Sequence, residues 1–275
     1  MALDTSVDLT LHEVAERLGL HYMTVYRYVR LGMLPAIKVG GSWQVAAADL
    51  AQLRAPIAGT ARPPAPWSTR LRMRMLAGDT EGSWQLVEAS MASGVQPADV
   101  YVEILGPALH AIGSTWRDGA VGIEQEHLAT GVATSIVGRL GPRFRRRGRR
   151  RGSVLIALPV GERHGLGVAM LSDILRGDGY NVLNLGPDTP APSLVSAMRE
   201  TDDLTAVVIS VVDVVRLPTA ERLIVAARKQ EPNVVIVAGG FAIPDEATAR
   251  SLGADGWTAD PRRLGGLIEH LTTKR

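Results

Sequence analysis

Residues 153–167 read SVLIALPVGERHGLG, and the fold of the C-terminal half turns on them. An apolar run at 154–158 passes into Gly161-Glu162-Arg163-His164-Gly165-Leu166-Gly167, and helical spacing starts directly afterwards. A short apolar run that leaves through glycines into a helix reads as strand, loop and helix. The alternation continues downstream. Strand-like runs lie at 182–185, 206–211 and 234–238, with a weak one near 255–258. Helical spacing lies near 165–177, 191–200, 218–230, 244–252 and 261–272. This predicts a flavodoxin- or Rossmann-like domain over 152–275, a parallel sheet with helices on both faces. Ligands of such sheets bind at strand carboxyl ends, where strand order reverses between the first and third strands. The loop holding His164 follows the first strand, Ser210-Val211-Val212 closes the third, and Gly239-Gly240 closes the fourth.

Upstream of this domain, Arg143, Arg145, Arg146, Arg147, Arg149, Arg150 and Arg151 stand almost side by side. They read either as a solvated, flexible linker or as extra phosphate contacts. Before them, residues 67–142 carry helical periodicity without strand signal, in segments near 67–77, 79–93, 97–116 and 123–140. Glycines and prolines break the run near 78, 94–97 and 119–122, so a four-helix bundle is expected. Residues 56–66, with Pro56, Gly59, Pro63, Pro64 and Pro66, read as a partly stiff linker.

Residues 1–55 form a separate small unit. Thr10 is placed to cap a helix whose apolar positions are Leu11, Val14, Ala15 and Leu18, ended by Gly19. A second helix runs from near His21 to about Leu31, with Val25, Val29 and Gly32 on one face and Met23, Tyr26, Arg27 and Arg30 on the other. A hairpin at 36–45 turns on Gly40-Gly41, and a third helix begins near Ala47. The fold class is thus multidomain, α plus α/β.

The chain has 275 residues, 46% of them hydrophobic, enough for about two globular domains. It has no cysteine, which excludes disulfides, cysteine zinc sites, thiol nucleophiles and thioether-linked chromophores. No signal-peptide layout and no membrane-spanning apolar run is present, so a cytoplasmic protein without a membrane partner is expected. The net charge of +2 gives no general argument for nucleic acid.

Glu162-x-His164-x-x-Gly167 resembles the Asp-x-His-x-x-Gly motif of cobalamin-binding domains. Ser210-x-Val212 followed by Gly239-Gly240 resembles that family's second motif. The resemblance covers about residues 152–275. It implies cobalamin as cofactor, with His164 as axial ligand to cobalt in place of the cofactor's own benzimidazole base. It further implies that the freed tail enters a slot beside the sheet, where Ser210 meets the base and Gly239-Gly240 leave room. The chemistry agrees: a neutral imidazole suits a late first-row metal, and a carboxylate two residues earlier can fix its tautomer. Gly165 and Gly167 let backbone approach a flat macrocycle. Glu162 departs from the commoner Asp by carrying the charge on a longer arm.

Trp116, followed by nine residues and then Glu126-His127, resembles the motif of cobalamin-dependent photoreceptor repressors of the CarH and LitR type. The resemblance implies that the three residues cap the upper face of the corrin and meet a 5′-deoxyadenosyl group, making adenosylcobalamin the expected form. Arg117 stands where some members have a histidine that ligates cobalt after illumination. Arginine stays protonated and cannot do so. Water or another histidine such as His110 is left for that part.

Residues 9–54 resemble the excisionase or MerR-like winged helix-turn-helix. The resemblance places the second helix in the major groove, with Thr24, Tyr26, Arg27 and Arg30 facing DNA and Lys38 reaching phosphate from the wing. Over residues 1–55, Arg17, Arg27, Arg30, Lys38 and Arg54 are balanced by Asp4, Asp8, Glu13, Glu16 and Asp49. A single near-neutral copy binds DNA weakly, so a homo-oligomer, dimer or tetramer, is expected on the operator. The sequence therefore reads as a cobalamin- and light-responsive transcription repressor, without enzymatic turnover. A corrinoid carrier for methyl transfer stays open, as does a photoreceptor holding a second, noncovalent chromophore such as a bilin.

Overall fold

β4, Ser153–Pro159, is buried along its whole length, as a near-continuous apolar run predicts for a central parallel strand. In the computed structural model it pairs with β5 (Asn181–Thr189) on one side and β6 (Leu204–Ser210) on the other, and β6 pairs with β7 (Val235–Gly239). All four strands are parallel, in the order β5-β4-β6-β7. The structure describes residues 8–18, 25, 29, 34–39, 42–47, 49, 67–146, 148 and 150–275. They fall into two units, Met1–Ala65 and Pro66–Arg275.

Side-chain alternation along the strands sorts the core of the second unit into two faces. Leu155, Ala157, Val207, Ile209 and Ile236 pack against α7 (Ala191–Glu200) and α8 (Leu217–Gln230). Val154, Ile156, Leu158, Ala206 and Val208 pack against α6 (Gly165–Gly177) and α10 (Leu264–Thr273). A short α9, Glu246–Ser251, follows β7. The strand expected near 255–258 reduces to one parallel bridge between Val237 and Gly256. Conversely, β5 runs past Leu185 to Thr189, where Pro159 pairs with Thr189 through a shifted register. Gly186 and Asp188 take positive φ in that extension, so a Gly-Pro-Asp stretch that reads as a turn is drawn into the sheet by its neighbour.

The helical half is built from α2 (Trp67–Leu76), α3 (Thr80–Ala92), α4 (Gly106–Arg117) and α5 (Ile123–Leu140). Asp79 caps α3 by accepting the Gly82 N–H at 2.8 Å. The run expected as one helix over 97–116 is not uniform. Pro97–Asp99 is α-helical and Val100–Leu105 is π-helical before α4 begins. Pro107 lacks an amide hydrogen, and the Gly106 N–H bonds back to the Tyr101 carbonyl, the wider i→i−5 spacing.

Bundle and sheet share a core through α6. Val168 and Leu175 face the sheet, while Leu166, Ala169, Met170 and Ile174 pack into the bundle beside Leu105, Ile136 and Leu140. Tyr101 stacks on Phe144 at 5.2 Å and donates from its hydroxyl to Asp173 Oδ2 of α6 at 2.8 Å. Burial and the Asp173 charge push the Tyr101 phenol well above its ordinary pKa. Asp173 also pairs with Arg176 at 3.0 Å. Arg262 ties the turn before α10 to the bundle, reaching Asp99 and Glu103 at 2.6 Å each.

In the first unit, β1 (Asp8–Thr10), β2 (Ile37–Val39) and β3 (Ser42–Ala46) form an antiparallel sheet ordered β1-β3-β2. β1 has no counterpart in the sequence reading. α1, Leu11–Leu18, opens on a reciprocal cap in which the Thr10 amide donates to Glu13 at 2.8 Å and the Glu13 amide to Thr10 Oγ1 at 3.4 Å. Val14, Val25, Val29, Leu34 and Val45 form its core.

Candidate functional site

Glu162 organises the loop after β4. Its side chain is buried, with the residue 1% exposed, yet it carries charge because donors surround it. Oε2 accepts the backbone N–H groups of Val212 at 2.8 Å and Asp213 at 3.0 Å, in the loop after β6. Oε1 accepts the His164 N–H at 3.1 Å and meets His164 Nδ1. Burial alone raises a carboxylate pKa. Here the bonds from Asp213, the His164 ring, Val212 and the His164 amide outweigh it and hold Glu162 at about 2. The longer arm of glutamate thus spans from the first strand's loop to the third's.

This fixes the imidazole. With Nδ1 held by a carboxylate it carries the proton, and Nε2 keeps its lone pair. The His164 side chain is 63% exposed. It stands at the start of α6, immediately before Gly165. The loop is braced from β5: Asp188 accepts the Gly161 N–H at 2.7 Å and donates its own amide to the Glu162 carbonyl at 3.0 Å.

The glycines divide by role. A Cβ on Gly167 or Gly239 would meet nothing within 4 Å, and one on Gly165 only Pro187 at 3.6 Å. Those positions leave open space. Gly240 is different: at φ +101° a side chain would collide with the Val211 backbone, so glycine there lets the β7 loop lie against the β6 loop. Ser210 and Gly239 are register partners at the ends of those strands.

Apolar side chains surround these strand ends without being buried. Val160 follows β4, Val214 and Val215 follow β6, and Phe241 follows β7, and all are exposed. Phe241 is 70% exposed, and its ring lies 5.0 Å from that of His110 on α4. That contact brings the bundle to the carboxyl end of the sheet. Sequence reasoning missed Asp188, Asp213, Phe241 and the three valines. The available signal for the last four was an apolar residue in the loop just after a strand.

Trp116 lies in the last turn of α4 at 47% exposure, and the turn 118–122 leads to Glu126 and His127 in the first turns of α5. Glu126 accepts from Thr130 Oγ1 at 2.8 Å and stands 3.8 Å from His127 Nε2. These two are adjacent and outward, and the His127 side chain is 72% exposed. Arg117 is helical in its backbone, and its side chain lies outside the described residues. Thr24, Tyr26, Arg27 and Arg30 also lie outside them, whereas Val25 and Val29 are helical and buried as expected. Lys38 is exposed on β2, 6.0 Å over the Trp43 ring. Among the described residues, no helix is long and apolar enough to cross a membrane.

A parallel sheet whose first loop presents a carboxylate-held histidine, joined to a helical bundle, defines a corrinoid-binding architecture. Residues 152–263 match the B12 binding domain, and residues 67–140 match a second model also described as B12 binding domain. Residues 9–55 match a helix-turn-helix domain. The chain therefore carries a cobalamin-binding body and a helix-turn-helix head. In fold it is similar to the monomethylamine corrinoid protein of Methanosarcina barkeri, at TM-score 0.64 and 18% identity over 73% of this chain and 96% of that one. A methanol:cobalamin methyltransferase complex from the same organism matches at TM-score 0.42 and 13% identity, over 84% of this chain and 93% of that one. A cobalamin-binding protein from Desulfitobacterium hafniense matches at 0.40 and 19%, over 74% and 97%. Comparison with curated proteins returns no match.

Proposed function

We propose that this chain is a cobalamin-dependent transcription repressor that responds to light through bound adenosylcobalamin. The observation that carries the reading is the joining, in one chain, of a helix-turn-helix match to a loop in which Glu162 holds His164 Nδ1 and leaves Nε2 toward solvent. The residues fit the cofactor. Open space at Gly167 and Gly239 and exposed Val160, Val214, Val215 and Phe241 suit a broad, flat, largely apolar ligand at the strand ends. In this reading His164 Nε2 ligates cobalt, and Ser210, Val212, Gly239 and Gly240 line the slot for the tail. Trp116, Glu126 and His127 meet the upper adenosyl group. The cofactor supplies a cobalt–carbon bond that light can break. The chain's own part is to sense whether the adenosyl group is present and to change assembly accordingly. The head contacts the operator through Thr24, Tyr26, Arg27, Arg30 and Lys38, and two or more copies give the effective concentration that one near-neutral head lacks. No catalytic turnover is involved, and the protein works in the cytoplasm.

Size-exclusion chromatography and DNA gel shifts on apo, dark-loaded and illuminated protein test this. Dark loading should promote oligomers and tighten DNA binding, and green light should reverse both. Identical mass and DNA affinity in all three samples would replace this reading with a corrinoid carrier or a second-chromophore photoreceptor. Within the reading, Trp116→Ala should lower the preference for adenosylcobalamin over hydroxocobalamin while histidine ligation survives. Equal affinity of the unaltered protein for both forms would remove the adenosyl-specific part.

A further inference from the structure

The arginine run has a place in the fold that the cobalamin site does not use. Arg145, Arg146 and Arg150 line a groove of about 340 Å³ together with Arg176, Tyr180 and Asn181. These residues lie at the starts of β4 and β5 and the end of α6, which is the end of the sheet opposite His164. No carboxylate lines this groove among the described residues. Arg150 bonds to the neutral amide oxygen of Asn181 at 2.7 Å, so its charge is not cancelled. Arg176 is held by Asp173, and Arg151, just outside, pairs with Glu269 at 3.3 Å. Asp178 lies within electrostatic reach of Arg151 and Arg146. On the far side of Arg150 an adjoining groove carries Glu200, Asp202 and Asp203. An anion is therefore confined to the side of Arg145, Arg146 and Arg150.

We propose that this groove binds backbone phosphates of duplex DNA without regard to sequence, giving the cobalamin-binding body a DNA contact of its own. Three guanidinium groups offer forked donors that match phosphate oxygens. The charge is also needed. Residues 1–55, which include the helix-turn-helix segment, balance five cationic side chains with five acids, and sequence-independent DNA affinity follows the number of phosphates neutralised. The proposal rests on the reading of this chain as a DNA-binding protein.

The test measures binding of the full cobalamin-loaded chain to a labelled duplex of arbitrary sequence, across about 50 to 200 mM salt. Replacing Arg145, Arg146 and Arg150 together by Ala should reduce the slope of log affinity against log salt by about 2.7, and affinity at 0.1 M by roughly eightfold for each phosphate no longer neutralised. Arg145→Ala alone should reduce the slope by about 0.9, which keeps the test available if the triple variant folds poorly. An unchanged cobalamin spectrum shows that the site opposite is intact. An unchanged slope in a folded variant overturns the proposal. So does free tripolyphosphate that displaces duplex from the groove at far lower phosphate concentration than DNA itself, because the site would then be one for a small polyphosphate. Arg27→Ala separates the two readings. If it leaves binding unchanged while the groove variants weaken it, the head reading falls and the groove stands. If it weakens binding while the groove variants do not, the groove falls alone.

Discussion

Replacing Glu162 by Gln keeps the shape of a buried side chain and removes one acceptor. Four donors converge on the carboxylate: the Val212 and Asp213 amides on Oε2, and the His164 amide and Nδ1 on Oε1. Glutamine offers one oxygen and one NH2 group. If the NH2 faces Val212 and Asp213, two backbone N–H groups lose their acceptor, at about 1–3 kcal/mol each. If it faces His164, one N–H is orphaned, and Nδ1 can keep a bond only by accepting. That moves the ring proton to Nε2, the nitrogen required for cobalt. The second arrangement strands fewer groups and should prevail. Folding stability should then fall by about 1–3 kcal/mol, and cobalamin affinity by about 10–100-fold. Thermal unfolding of the apo-protein and an absorbance titration with hydroxocobalamin read the two effects separately. A variant that binds within about twofold of the parent, with the same histidine-ligated spectrum, would refute the role given to Glu162.

His164→Ala should abolish the histidine-ligated spectrum and, by taking one of four donors from the buried Glu162 carboxylate, lower apo stability by about 1–3 kcal/mol; an unchanged spectrum assigns the ligand elsewhere. Gly240→Ala should cost about 1–3 kcal/mol in chemical denaturation, since φ is +101° and a Cβ would strike the Val211 backbone. Tyr101→Phe should cost about 1–3 kcal/mol by leaving Asp173 short of a buried donor, with equal unfolding midpoints as the contrary result.

Most of the α/β half was legible because its signals are local and redundant: short, near-continuous apolar runs, separated by helices with glycines at their ends. The helical half was legible for the same reason, with one failure. Pro107 sits inside a run that keeps helical spacing, and periodicity cannot reveal the π-helical stretch Val100–Leu105 that accommodates it. β1 is three residues long, too short to show a period. The extension of β5 is hidden by Gly186-Pro187-Asp188, because pairing with β4 overrides local turn chemistry. At the site, His164 and its glycines could be found by motif. The span of Glu162 to the Val212 and Asp213 amides could not, since it depends on two loops about 50 residues apart being brought together by the sheet. Phe241 and the exposed valines escaped notice because a single apolar loop residue is commonplace.

Two stretches of this chain match separate models, yet α6 belongs to both cores. A truncated chain beginning at the first strand would expose Ile174 to water, at roughly 1.5–3 kcal/mol, and the half-buried Leu166 and Met170 at a smaller cost each. It would also strand Asp173 without Tyr101. The helix that His164 opens would then have lost the surface that steadies it. The cobalamin body is consequently a poor candidate for cutting and grafting at the arginine run. Chimaeras that exchange heads should be joined before Trp67, and those that exchange sheets must carry the bundle along with them.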